Sequence, residues 1–334
     1  MAAEMGEQPA VIAGLLDRAD EVRRAVRSVA PPELAGVLLV ARGSSDHAAV
    51  YARYLLEVAT RRPVALAAPS LLTHYGLRPD YRGYLAVAVS QSGRTPEVVT
   101  VLERAAAAGA RTLAVTNDPR SPLARAAHAS VDLGAGREAA LPATKTFTAQ
   151  LVALALVTEA VGVPPWRRGD WEGVPDAVRW VLDRWDEARE ATRTLTGAAG
   201  LVCVARGYLY AVALEAALKL KETTFVLADG YSSADLRHGP VAVAERGFPF
   251  LAFSVAGPVA ADVGELVASL RARGARVLTC SDDPHSDLPL PPGLPEPLAA
   301  VPATVRAQQV AHSLALLLGL DPDRPPGLRK VTRT

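Results

Sequence analysis

Cysteine is nearly missing from this chain: only Cys203 and Cys280 are present, with no Cys-x-x-Cys pair. Two unpatterned thiols exclude a disulfide framework and a thiolate zinc site, and they fit a reducing cytoplasm. The six histidines, His47, His74, His128, His238, His285 and His312, lack metal-ligand spacing, so no dedicated metal is expected. G-x-G-x-x-G is absent, which removes the dinucleotide fingerprint, and no cofactor is expected. No apolar run free of charge reaches the ~18 residues that a membrane span requires. The opening MAAEMGEQPA has neither the basic start nor the long apolar stretch of a signal peptide. Charge of one sign is also missing. The formal net charge is +1, with no Lys/Arg-rich run and no base-reading helix-turn-helix, so neither nucleic acid nor a membrane is an expected partner. The cytoplasm is the expected location.

Lysine is scarce as well. Four lysines, Lys145, Lys219, Lys221 and Lys330, stand against 32 arginines. Ordinary solvated surface is evidently written with Arg here, so each Lys is a candidate for chemistry that Arg cannot do. A lysine amine can lose its proton, act as a base or form a Schiff base, whereas a guanidinium stays charged.

What is present is an ordinary globular mix, 334 residues that are 50% hydrophobic and 21% charged, enough chain for two or three domains. Residues 11–29 have helical periodicity, with Pro31-Pro32 as the stop. Short apolar runs then alternate with helical stretches: strands at 37–41, 64–68, 84–89, 111–116 and 130–133, helices at 46–59, 96–108 and 144–161. Unbroken apolar strands separated by helices predict a parallel sheet covered on both faces. Residues 162–175 read as a linker, followed by one long helix to about Thr196. The pattern restarts at Leu201, and after the proline-rich stretch 289–297 a last helix is expected over 303–318. VARG at 40–43 recurs at 204–207, and Ser90 and Gly93 recur at the same offset as Ser254 and Gly257. Such self-similarity points to duplication of one α/β unit.

Tyr84 to Glu97 runs from a strand through a hydroxyl-rich turn into a helix. Thr95 suits the N-cap, Pro96 the first helical position and Glu97 the first turn. Free backbone N–H groups there, with the hydroxyls of Ser90, Ser92 and Thr95, suit a phosphate dianion. A plain capped turn would be written with the same residues. The corresponding second-copy stretch, SVAGPVA, has lost the hydroxyl cluster, so a second phosphate site is not expected.

The stretch from Leu214 to Pro240 is amphipathic at its start. Glu215, Lys219 and Glu222 are spaced to share one helix face, and His238-Gly239-Pro240 makes a turn beyond it. A carboxylate one turn from an ammonium can shuttle protons. Spacing alone favours the plainer arrangement, a surface helix with an ion pair followed by a solvated histidine.

Five ordered motifs change that balance. RGSSDHAA, VSQSGRTPEVV, LPATKTFTAQL, LEAALKLKE with DLRHGP, and DPDRPPGLRKVT resemble the sugar isomerase (SIS) family, in particular the isomerase half of glucosamine-6-phosphate synthase. The resemblance spans roughly residues 36–334. It implies an α/β fold of two SIS-type three-layer αβα units with parallel sheets, related by the duplication. The expected division is an N-terminal helical segment (1–34), a first SIS domain with the phosphate loop (35–161), a linker and long helix (162–196), a second SIS domain with the catalytic helix and His turn (197–320), and a C-terminal active-site tail (321–334). By the same resemblance Ser44, Ser45, Ser90, Gln91, Ser92 and Thr95 hold a sugar phosphate, and the loop at Leu141 and Ala143 lines its far side. There the family often has Val-Ala-Ser, and Leu141-Pro142-Ala143 loses one hydroxyl. Glu222 would be the base for C1–C2 proton transfer, tuned by Lys219. His238 would open the sugar ring from the neighbouring subunit of a homodimer with composite sites. Lys330 would form a Schiff base at C2.

The synthase's glutaminase part, with its leading cysteine, has no counterpart in this sequence, so the reverse direction is the expectation. That reaction is deamination and isomerisation of glucosamine 6-phosphate. One alternative is dehydration of N-acetylglucosamine 6-phosphate through loss of the C3 hydroxyl. Another is a non-catalytic sugar-phosphate sensor, which would have no reason to keep Glu222, His238 and Lys330 together.

Overall fold

The computed structural model describes residues 1–330; the last four positions of the expected tail lie outside the described residues. Two five-stranded sheets form, and every strand pairing in them is parallel. The first contains β1 (Gly36–Val40), β2 (Val64–Leu66), β3 (Tyr84–Ser90), β4 (Arg111–Thr116) and β5 (Ala129–Asp132) in the order β2-β1-β3-β4-β5. The second contains β6 (Gly200–Ala205), β7 (Leu227–Ser232), β8 (Pro249–Phe253), β9 (Arg276–Ser281) and β10 (Leu288–Pro289) in the order β10-β9-β8-β6-β7. Read from its other edge, this is the first sheet's order again. The duplication seen in VARG therefore extends to topology.

The central strands are apolar and buried along their whole length, as in β1 and β8, because helices cover both faces of a parallel sheet. The chain divides into two compact units. One, here the first-sheet unit, comprises 10–138, 145–165, Arg329 and Lys330; the other, the second-sheet unit, comprises 1–9, 139–144 and 166–328. In the first-sheet unit the helix Lys145–Val161 is buried from Lys145 to Thr158 without a break, as expected of a helix apolar on all sides. Arg23 crosses to it and pairs with Glu159 at 2.7 Å. In the second-sheet unit the helix Glu296–Leu317 plays the same part, buried from Glu296 to Ala315.

Three helical expectations need correction. The single helix over 11–29 is two, Gln8–Asp17 and Ala19–Val29. Arg18 leaves helical geometry between them and its guanidinium donates to the Asp132 carbonyl at 3.3 Å. The long helix ending near Thr196 is likewise two, Val174–Asp183 and Trp185–Thr192. The Arg184 carbonyl at their junction accepts a 2.7 Å bond from buried Arg306. The last helix starts at Glu296, seven residues before the expected Ala303, and runs through Pro302. Pro297 sits in its first turn, where a missing N–H costs nothing.

Candidate active site

In a 2-1-3-4-5 sheet the winding reverses between the first and third strands, and ligands bind outside their carboxyl ends. In the first-sheet unit that switch point lies between the ends of β1 and β3. After β1, Gly43 adopts φ +59 with open space around it, and a helix starts at Ser44. At the end of β3, Ser90 is 5% exposed and its Oγ accepts the Gly93 N–H at 3.2 Å. Ser92 Oγ accepts the Arg94 N–H at 3.2 Å. Gly93 sits at φ +60 so close to Ser121 and Thr116 that a side chain there would collide with both. Thr95 is the N-cap of Pro96–Ala107, with no side-chain cap bond. Arg42 and Glu97 tie the two turns together at 2.8 Å. The switch point therefore carries Ser44, Ser90, Gln91, Ser92 and Thr95. Ser45 is turned away: it is buried and accepts Gln150 Nε2 at 2.9 Å, which places it in the helix packing.

Lys330 belongs to the same unit. Its Nζ lies 2.9 Å from Glu138 Oε2. Glu138 has no exposed side chain and also accepts Thr146 Oγ1 at 2.7 Å and the Thr146 N–H at 3.2 Å.

The second-sheet unit holds the other candidates. Glu215, Lys219 and Glu222 lie on the helix Tyr210–Thr224, and their face is the inward one. Glu215 is 1% exposed and Lys219 fully buried. Lys219 Nζ lies 3.3 Å from Glu215 Oε1 and also contacts Glu222 Oε2. Burial alone would depress this amine, but the two carboxylates outweigh it and hold Lys219 above its ordinary value. The helix is locked by Thr223, whose hydroxyl donates to the Lys219 carbonyl at 2.8 Å and to Ala311 O at 3.3 Å. Gly230 on β7 passes so close to Ala213 and Leu214 that a Cβ there would strike their backbone. The surface ion-pair helix is thus excluded.

His238 ends the short helix Ser233–Arg237 and is exposed. Among the described residues its ring makes no hydrogen bond or ion pair with Glu222 or Lys219. The loop bearing Leu141 and Ala143 is fastened by Leu141 N–H to Asp323 O at 3.0 Å and by Gln308 Nε2 to Thr144 O at 3.3 Å. Both residues are half-buried. Among the described residues no group of three or more His, Cys, Asp or Glu is placed to hold a metal.

Sequence reasoning missed Glu138. Its partner is 192 positions away, and no local period marks it. The buried charge of Glu215 could have been suspected from its four-residue step to Lys219.

The SIS domain profile matches residues 36–160 and 194–290. The chain belongs to the SIS domain family. The glutamine–fructose-6-phosphate aminotransferase (isomerizing) of Methanothermobacter thermautotrophicus is 32% identical over 338 residues, covering 99% of this chain and 56% of that protein. The chain thus spans about half the length of the curated relatives it matches. A solved structure from Silicibacter pomeroyi, provisionally assigned as a phosphosugar isomerase, is 31% identical with a TM-score of 0.83, covering 97% of this chain and 99% of that one. Glucosamine-6-phosphate deaminase from Thermotoga maritima superposes with a TM-score of 0.76 at 24% identity, again over 97% and 99%. At that identity the likeness speaks for the fold alone.

Proposed function

We propose that this chain is an amino-sugar-phosphate deaminase/isomerase acting on glucosamine 6-phosphate in the cytoplasm, as a homodimer whose His238 serves the neighbour's site. The observation that carries it is the buried Glu215–Lys219–Glu222 chain. Burying an ammonium between two carboxylates carries a desolvation cost, and charged groups in such settings cluster at functional sites. Glu222 is the member with solvent access, its side chain 21% exposed. The 6-phosphate rests against Ser90, Ser92, Thr95 and the amides at the start of the helix Pro96–Ala107. His238 opens the ring. Glu222 takes the C2 proton of the open aldehyde and returns it at C1, which leaves an imine at C2. The Lys330 amine displaces ammonia from that carbon, and water releases the ketose.

A second reading is dehydration of N-acetylglucosamine 6-phosphate, in which the same base acts at C2 and the C3 hydroxyl leaves. It is favoured by Ala143, which offers no hydroxyl to hold the groups at C2 to C4. Purified protein is given each sugar phosphate in turn while ammonia, ketose and ultraviolet absorbance are followed. Ammonia and fructose 6-phosphate from glucosamine 6-phosphate are expected. An unsaturated product from the acetylated sugar would select the second reading, and binding without turnover would select a sensor.

A further inference from the structure

We propose that Glu138 is the acid–base partner of Lys330, a buried carboxylate on which the C-terminal amine docks and through which it gives up its proton. This rests on the reading of Lys330 as the amine that displaces ammonia from C2. Glu138 is held from both sides. On one side its oxygens accept the Thr146 N–H and hydroxyl at the start of the buried helix Lys145–Val161, where free amides favour a negative charge. On the other, the segment leading to it is pinned to the end of β4 by Asn117. That side chain donates to Gly136 O at 2.7 Å and accepts the Ala135 N–H at 2.8 Å. Lys145 also reaches this segment, its Nζ lying within 3.9 Å of where a Cβ on Gly136 would stand. Lys330 keeps 27% of its side chain exposed and meets Glu138 at 2.9 Å. One partner is buried and held by hydrogen bonds, and the other keeps access to solvent.

Docked as an ammonium, Lys330 cannot attack. Transimination converts the docked ammonium and the C2 imine into a protonated Lys330 imine and ammonia, so two protons must pass from the lysine nitrogen to the departing one. Glu138 accepts the first from the ammonium, freeing the lone pair that bonds to C2. It passes that proton to the departing nitrogen, then takes the second from the lysine nitrogen of the tetrahedral adduct and relays it likewise as the C–N bond breaks and ammonia leaves. No oxidant or metal is needed.

The scarcity of lysine makes the test direct. The intact protein, without substrate, is treated with trace acetic anhydride, and modification of Lys330 is compared by mass spectrometry with that of Lys221. Lys221 is the reference because its side chain is 42% exposed. In the wild type Lys330 should react at least about fivefold more slowly than Lys221; in Glu138→Gln the two should come within about twofold, and Glu138→Asp should fall between, because only a free amine is nucleophilic. Equal rates in the wild type overturn the docking without any variant, as does an unchanged ratio in a folded Glu138→Gln protein. With glucosamine 6-phosphate, Glu138→Gln should lower kcat more than it changes KM. If the labelling behaves as stated but the wild type releases no ammonia, the deaminase reading falls and the docking stands.

Discussion

Three of the four lysines ended up in settings that an arginine-rich surface would not provide. Lys145 is 1% exposed, Lys219 is fully buried, and Lys330 meets a buried carboxylate. Their rarity was legible in the sequence, and so was the Glu215–Lys219–Glu222 spacing. Which side of that helix faces inward was not. Leu214 and Leu218 are only partly buried, whereas Glu215 and Lys219 are turned inward. Glu222 is the partner left in reach of solvent, and its role is tested at this scale. Glu222→Gln keeps size and shape but cannot accept a carbon-bound proton, so substrate binding should survive while turnover drops by roughly 10²–10⁴. Exchange of the C2 hydrogen with deuterated solvent, followed by NMR, checks this without knowledge of the product. Wild-type exchange in the variant would remove Glu222 as the base.

At the scale of elements, the strands were readable because both faces are buried and the runs are apolar throughout. The helix breaks were not. Arg18 and Arg184 interrupt helices through bonds to Asp132 and from Arg306, partners more than a hundred positions away. The two copies of the strand-end loop make a sharper comparison. In the first, Gly43 faces open space and hydroxyls surround the turn. In the second, the Ala256 N–H is already taken by Asp282 at 3.0 Å, and a side chain on Gly207 or Gly257 would run into the carboxylate of Glu296. Glu296 is 8% exposed, and burial raises its pKa. Carboxylates stand where a phosphate would need donors. Calorimetric titration with fructose 6-phosphate should therefore give one site per chain. Ser92→Ala should weaken it on the order of tenfold, the loss of one hydrogen bond to a charged group, and Ser254→Ala should leave it unchanged. Two sites per chain would contradict this.

At the scale of the whole molecule, the repeat of VARG gave notice of the duplication, but the shared strand order emerges only from the pairings. Duplication also separates the candidates: the phosphate loop and Lys330 belong to the first-sheet unit, Glu222 and His238 to the second. His238 is exposed and, among the described residues, has no hydrogen bond or ion pair to Glu222. A ring-opening histidine must reach the sugar, and in the proposed homodimer that sugar is the neighbour's. Glu222→Gln and His238→Ala chains, each inactive alone, then complement each other. In a mixed dimer one site receives both defects and the other receives neither. Random pairing of equal amounts makes about half the dimers mixed, each with one intact site of two, so roughly a quarter of wild-type activity should return on co-refolding, provided the sites act independently. Separately tagged chains isolated as mixed dimers provide the check. If those dimers form and remain inactive, both residues serve one subunit's site and the composite arrangement is wrong.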